Sequence, residues 1–208
     1  MTKKISVIGV FTCILYFISV GLSLITKEEA ALTIWELMTF LSAPVELLVL
    51  LDLSNLVNAT AIYKNAMLVF MACACALTSV AHIVNITVTR RLISEGINVP
   101  EYFRIGFWPS VEMAIDYLAW GFFVGLAFLC IGFATNSKDK QKLIIKVTVL
   151  VCGMLCLSGF FGAIFINENL WYVAPMGYGL GSMIICIQMM RFAWHIDATK
   201  HNKIHINT

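Results

Sequence analysis

Six stretches of this chain stay apolar for about 20 residues or more: 5–25, 33–57, 66–89, 110–135, 143–166 and 171–194. A helix rises about 1.5 Å per residue and a hydrocarbon core is about 30 Å thick, so each stretch can cross a bilayer. Inside lipid every backbone N–H and C=O must be satisfied by the protein itself, and single segments of this length achieve that only as helices. The sequence therefore predicts an all-α, polytopic integral membrane bundle of six transmembrane helices. Residues 1–208 form one transmembrane domain, and 92–109 form an outer interfacial loop. Composition agrees on the solvent: 12% of residues are charged and mean hydropathy is +0.88, against about 25% charged in soluble domains.

Positive charges give an expected orientation. With the N-terminus inside, Lys3, Lys4, Lys64, Lys138, Lys140, Lys142, Lys146, Arg191, Lys200 and Lys203 are cytoplasmic, and Lys27, Arg90, Arg91 and Arg104 are outside. That bias places both termini in the cytoplasm of a cell membrane, inner or plasma. Trp35, Trp108 and Trp171 fall at the expected outer interface, as aromatic anchors do. Lys3 and Lys4 precede an apolar run longer than a signal sequence uses, with no small-x-small cleavage pattern, so the first span reads as a retained helix. A net charge of +2 and short loops leave no room for a nucleic-acid module.

Several motifs resolve into packing or topology. Cys13, Cys73, Cys75, Cys130, Cys152, Cys156 and Cys186 all lie within spans, form no CxxC pair and read as small apolar side chains. The run from Gly177 to Ser182 has dinucleotide-like glycine spacing but no preceding strand. No haem, nucleotide or zinc signature is present, and the cofactor, if any, stays unknown. The pairs Gly121/Gly125 and Gly177/Gly181 are small-xxx-small faces for close helix approach, and a homo-oligomer could use either. Asn58 and Asn85 open sequons that this topology places in the cytoplasm and in the membrane.

Function is to be sought in the carboxylates, because each ionised one near the bilayer centre costs about 2.5–3.5 kcal/mol on insertion scales. Glu36, Glu46 and Asp52 lie in the second span, Glu112 and Asp116 in the fourth. Pro44 in the second span removes a backbone bond two residues from Glu46, predicting a kink and a freed carbonyl at mid-depth. In the third span Thr78, His82, Asn85 and Thr89 recur at helical spacing as one polar stripe, followed by Arg90 and Arg91. Glu112 and Asp116, four apart, share a face.

Placed by depth, Glu36, His82, Asn85, Arg90, Arg91, Glu112 and Asp116 converge in the outer third, and Glu46 extends them to the midplane. The expectation is a pocket between helices 2, 3 and 4. Arg90 or Arg91 is expected to pair with Glu112 or Asp116, and His82 with Glu36. The first and fifth helices are expected to be scaffold, and the segment from Pro100 to Trp108 a short interfacial helix or lid.

Three classes of function remain open on these residues. A carrier or ligand-binding protein would use the carboxylates for a proton, cation or small polar solute. An outer-leaflet enzyme would use His82 as base, with Arg90 and Arg91 on a lipid headgroup. A metal form of that site would be oxygen-rich and suit Mg2+, Mn2+ or Ca2+, although no metal motif is present. An assembly protein would keep the charges as a structural network and dock through its loop aromatics.

Overall fold

The computed structural model describes residues 2–26, 28–105, 108–135 and 139–206, with side chains through residue 195. Lys27, Gly106, Phe107, Lys138 and the side chains of Lys200 and Lys203 lie outside the described residues. Six helices are long and apolar enough to cross a membrane: α1 (Thr2–Thr26), α2 (Glu29–Leu56), α3 (Ala61–Ser94), α4 (Val111–Ala134), α5 (Lys140–Phe165) and α6 (Glu168–His195). They are the six apolar stretches, with ends shifted by one to five residues. Helical backbone continues beyond α6 to Ile206.

The ends of these helices are written locally. α2 stops at a left-handed Asn58, φ 57°. There the Asn58 amide donates to the Asn55 carbonyl at 3.1 Å and the Ala59 amide to the Ser54 carbonyl at 2.9 Å. This is the Schellman arrangement, so Asn58 serves as a helix stop. α3 ends the same way at Gly96, φ 79°, with Gly96 N–H on Ile93 O and Ile97 N–H on Leu92 O, both at 3.0 Å. Ser110 and Asp139 cap the starts of α4 and α5, accepting from Met113 N–H and from the amides of Gln141 and Lys142. Among the described residues between Gly96 and Ser110, the expected interfacial helix is reduced to a single 3-10 turn at Glu101–Phe103.

Short connections close the bundle into a ring. Each helix packs on its neighbours in sequence, α6 returns to α1, and α2 also reaches α4 and α6 across the middle. Side chains divide this ring by depth. Toward the Lys140 end the interior is apolar, with Val49, Leu50, Leu53, Met67, Met71, Phe128, Ile131, Ile145, Val149, Ile185 and Met189 fully buried. Toward the Arg90 end the buried set is polar: Glu36, Thr39, Thr78, His82, Asn85, Thr89 and Glu112. Glu46 sits at the boundary. α2 continues through Pro44 without a break, and Pro44 faces the outside of the bundle.

Both glycine pairs are consumed inside the chain. A Cβ at Gly121 would lie 2.9 Å from Phe160, and one at Gly125 3.0 Å from Cys156, both on α5. Gly177 meets the backbone of Cys152 and Cys156, and Gly181 the Cys152 side chain. Neither pair is therefore the free face that an oligomer contact through it requires. Their physical role is to let α4 and α6 approach α5 at backbone distance, the usual way membrane helices gain packing energy. All seven cysteines are free.

Gly159 is the tightest of these sites, because an added Cβ would overlap the backbone nitrogen of Ala174. Gly159→Ala should cost about 1–3 kcal/mol by overpacking and lower the thermal unfolding midpoint by several degrees. Gly21→Ala, with open space around it, should leave the midpoint unchanged or slightly raised.

Candidate functional site

Three π-helical segments interrupt the spans, Asn85–Thr89 in α3, Leu118–Phe123 in α4 and Met176–Leu180 in α6. Each wide turn inserts a residue into the helical register and re-aims the side chains that follow, a feature that recurs at functional sites. All three lie in the polar half or at its boundary. They hold, respectively, Asn85 and Thr89, Trp120, and Tyr178 with Gly179.

The centre of the polar half is an ion pair. Arg90 of α3 reaches Glu36 of α2 at 2.8 Å, with Glu36 fully buried and Arg90 14% exposed. The Asn85 amide donates to the other Glu36 oxygen, and the second Arg90 nitrogen donates to the Thr33 hydroxyl. Glu36 thus has an ion-pair partner at one oxygen and a hydrogen-bond donor at the other, and Arg90 is held at both ends of its guanidinium, the arrangement that makes a buried charge tolerable. Arg91, the next residue, turns the other way. It pairs with Glu95 at 3.0 Å in a 77% exposed position and takes no part in the site.

His82 faces Asp116, not Glu36, with Nε2 3.5 Å from Oδ1. The expected pairings are therefore exchanged: the arginine takes the α2 carboxylate and the histidine takes the α4 one. Depth explains this, since His82 lies two turns below Arg90 on α3 and so reaches α4 rather than the first turns of α2. Glu112, one turn above Asp116, is buried with one carboxylate oxygen unbonded among the described residues. Both ring nitrogens of His82, the Thr78 hydroxyl, the Tyr117 hydroxyl and the indole N–H groups of Trp35 and Trp120 are likewise buried without a protein hydrogen bond. Such a concentration of unpaired polar atoms is unusual for a settled interior.

The ion pair floors a cavity of about 350 Å³. Its walls come from α2 (Glu29, Leu32, Trp35, Glu36), from α3 (Asn85, Thr89, Arg90, Ile93, Ser94) and from Arg104 and Ile105 of the loop. The pocket thus lies between α2, α3 and the loop. The α4 carboxylates Glu112 and Asp116 stand behind it and are not in its lining. Arg104, absent from the expected site, lines it, and Thr33, also absent, supports it by accepting from Arg90; Arg104 carried a signal as a lone charge among loop aromatics.

A second and smaller cavity, about 40 Å³, lies deeper, between α1, α2, α4 and α6. Glu46 lines it, and its Oε1 accepts a hydrogen bond from Ser182 at 3.0 Å. Tyr16 and Phe17 of α1 form part of the wall. α1 is accordingly more than scaffold, and the signal was Tyr16, a phenol at mid-span where aromatic belts do not place one. Asp52 is buried in the apolar half with one oxygen unbonded and touches neither cavity. Among the described residues no three of His, Cys, Asp and Glu gather as metal ligands.

With this geometry in hand, the class is clear: a six-span membrane helix bundle with buried charged residues. Comparison with protein-family models, with curated proteins and with solved structures found no match to this chain.

The two arginines make a contrast. Arg90→Ala should leave Glu36 buried and unpaired, costing about 3–5 kcal/mol, whereas Arg91→Ala removes a surface pair worth under about 1 kcal/mol. Thermal unfolding in detergent should show a large loss for the first and almost none for the second. Equal effects would mean that Arg90 does not hold Glu36.

Proposed function

We propose that this protein is a small membrane carrier or ligand-binding protein whose cavity at the Arg90 end opens to the outside and takes a small polar solute. The observation that carries this reading is the 350 Å³ cavity whose floor is the Glu36–Arg90 ion pair. Concave sites with a few convergent polar groups among apolar walls are where small ligands bind. Here Leu32, Trp35, Ile93 and Ile105 supply the walls, and Glu36, Asn85, Arg90 and Arg104 the orienting groups. The larger cavity is at this end, a smaller one of about 250 Å³ beside Gln141, Gln188 and Arg191 is at the other, and a layer of buried apolar side chains lies between them. An apolar layer between two end cavities suits a carrier with alternating access. The charge distribution supports the orientation, with Lys140, Lys142 and Lys146 at the cytoplasmic end.

The enzyme reading rests on His82 with Asp116, a base with an orienting carboxylate. That pair is 1% and 19% exposed and lies outside the lining of the cavity. A substrate in the cavity therefore meets Glu36 and Arg90 first, which favours binding over catalysis.

Purified protein should be melted across pH 5 to 9 with a panel of amino acids, carboxylates, sugars, cations and lipid headgroups. A solute at about 100 times its Kd stabilises by about 2.7 kcal/mol through mass action, and that shift should vanish in Arg90→Lys and persist in Asp52→Asn. Asp116→Asn, which unpairs His82, should alter stability or solute response more than Asp52→Asn. No shift from any solute, or a shift undiminished in Arg90→Lys, would overturn the assignment and leave the charges as a structural network.

A further inference from the structure

The deeper cavity is chemically unlike the one at the Arg90 end and is argued independently of it. Glu46 is 7% exposed at the middle of α2, and its recorded partner is the Ser182 hydroxyl. Among the described residues no Lys, Arg or His lies within ion-pair distance of it. This contrasts with Glu36 and Asp116, each of which has a cationic or imidazole partner. A carboxylate at mid-membrane depth with no cation beside it is expensive and marks a functional position.

The walls around Glu46 are aromatic. Tyr16 and Phe17 come from α1, Trp120 from α4 and Tyr178 from α6. The Trp120 and Tyr178 rings stand 5.1 Å apart, and both residues belong to π-helical segments. Ring faces attract a cation, most strongly when water is excluded, and cages of this composition recognise organic ammonium groups. Hard metal cations want six or more oxygen ligands, carboxylates and carbonyls foremost; Glu46 is the one carboxylate of this lining, and the lining's other side-chain oxygens are the hydroxyls of Thr12, Ser42, Ser182, Tyr16 and Tyr178. At about 40 Å³ this cavity is far smaller than the one at the Arg90 end and suits a small guest.

We infer that this cavity is a midplane binding site for a small alkylammonium ion, its ammonium against Glu46 and Ser182 and its alkyl part against Tyr16, Phe17, Trp120 and Tyr178. The hydrogen-bond inventory is compatible. The ammonium has three donors and no acceptor, the Glu46 carboxylate accepts, and the Ser182 oxygen accepts while its own O–H continues to donate to Glu46 Oε1.

The test uses the full chain in detergent at about pH 7, with ethylammonium chloride as probe against sodium and potassium chloride at matched ionic strength. Ethylammonium should raise the unfolding midpoint saturably while sodium and potassium do not. Glu46→Gln should abolish the shift, and Ser182→Ala, which removes one hydrogen bond, should weaken apparent affinity about tenfold. If Glu46→Gln does not fold, Ser182→Ala and Tyr178→Leu decide, since both must weaken the ethylammonium response. Arg90→Lys should leave that response intact, which separates this site from the cavity above it. No ethylammonium shift, an equal shift with sodium, or an undiminished response in the Glu46 or Ser182 variant would overturn the inference.

Discussion

The Glu36–Arg90 ion pair is the contact to which the rest of the polar half is fitted. Two opposite charges within a lipid-spanning bundle are tolerable only in contact, with their remaining hydrogen-bonding capacity filled. α2 and α3 must therefore face each other at this depth, and Thr33 and Asn85 must be where they are to complete the pair. The wide π turn at Asn85–Thr89 sits immediately before Arg90. Its extra residue sends Arg90 inward and Arg91 outward, and the guanidinium reaches α2 instead of running on to α4. Once Arg90 is committed there, the α4 carboxylate Asp116 is left to His82.

Below this level the chain changes its means of cohesion. Helices in lipid gain little from the hydrophobic effect between themselves and depend on close packing. α4, α5 and α6 achieve it through Gly121, Gly125, Gly159, Gly177 and Gly181, which bring backbones within reach of Phe160, Cys152, Cys156 and Ala174. Close packing of α4 and α6 onto α5 fixes where Trp120 and Tyr178 stand, since each lies within a turn of a seated glycine. The aromatic wall beside Glu46 is thus a consequence of the glycine pattern, and a guest there would be gripped by the parts of the bundle with the least freedom to move.

Much of this was legible in the sequence, and what was not has a physical reason. The spans were readable because lipid imposes length and apolarity together, and the polar stripe Thr78, His82, Asn85 and Thr89 is buried as its spacing predicts. Partner choice was not readable, because it turns on one inserted residue in the α3 register, and π turns leave no mark on hydrophobic periodicity. The glycine pairs were visible, but not whether they face a neighbour in the chain or another copy, since either use wants the same small residues. Pro100 and Glu101 resemble a helix start, yet the segment makes only one 3-10 turn. The loop lacks the length of apolar periodicity that would sustain more. Tyr16, Tyr178 and Ser182 are visible in the sequence as a mid-span phenol and part of a glycine-rich run, but only the ring closure of α6 onto α1 gathers them around Glu46.

On the proposed reading, the two halves of the bundle are suited to different parts of a transport cycle. The half at the Arg90 end is held by directional contacts to charged groups, which a polar solute can match and replace. The half at the Lys140 end is held mainly by apolar side chains, with few inter-helix hydrogen bonds such as that of Gln188 to Thr148, so a solute gains little by entering it directly. Opening that end requires separating α2 from its packing on α4 and α6, and Glu46 is the charged residue at the boundary where such a separation begins. A cation beside Glu46 would neutralise the one unpaired carboxylate on that boundary and thereby favour the closed packing. Loss of the cation would leave a bare charge between apolar layers, an arrangement relieved by admitting water from one side. Occupancy of the small cavity and accessibility of the large one are then linked through α2, which carries Glu36 at one level and Glu46 ten residues further on.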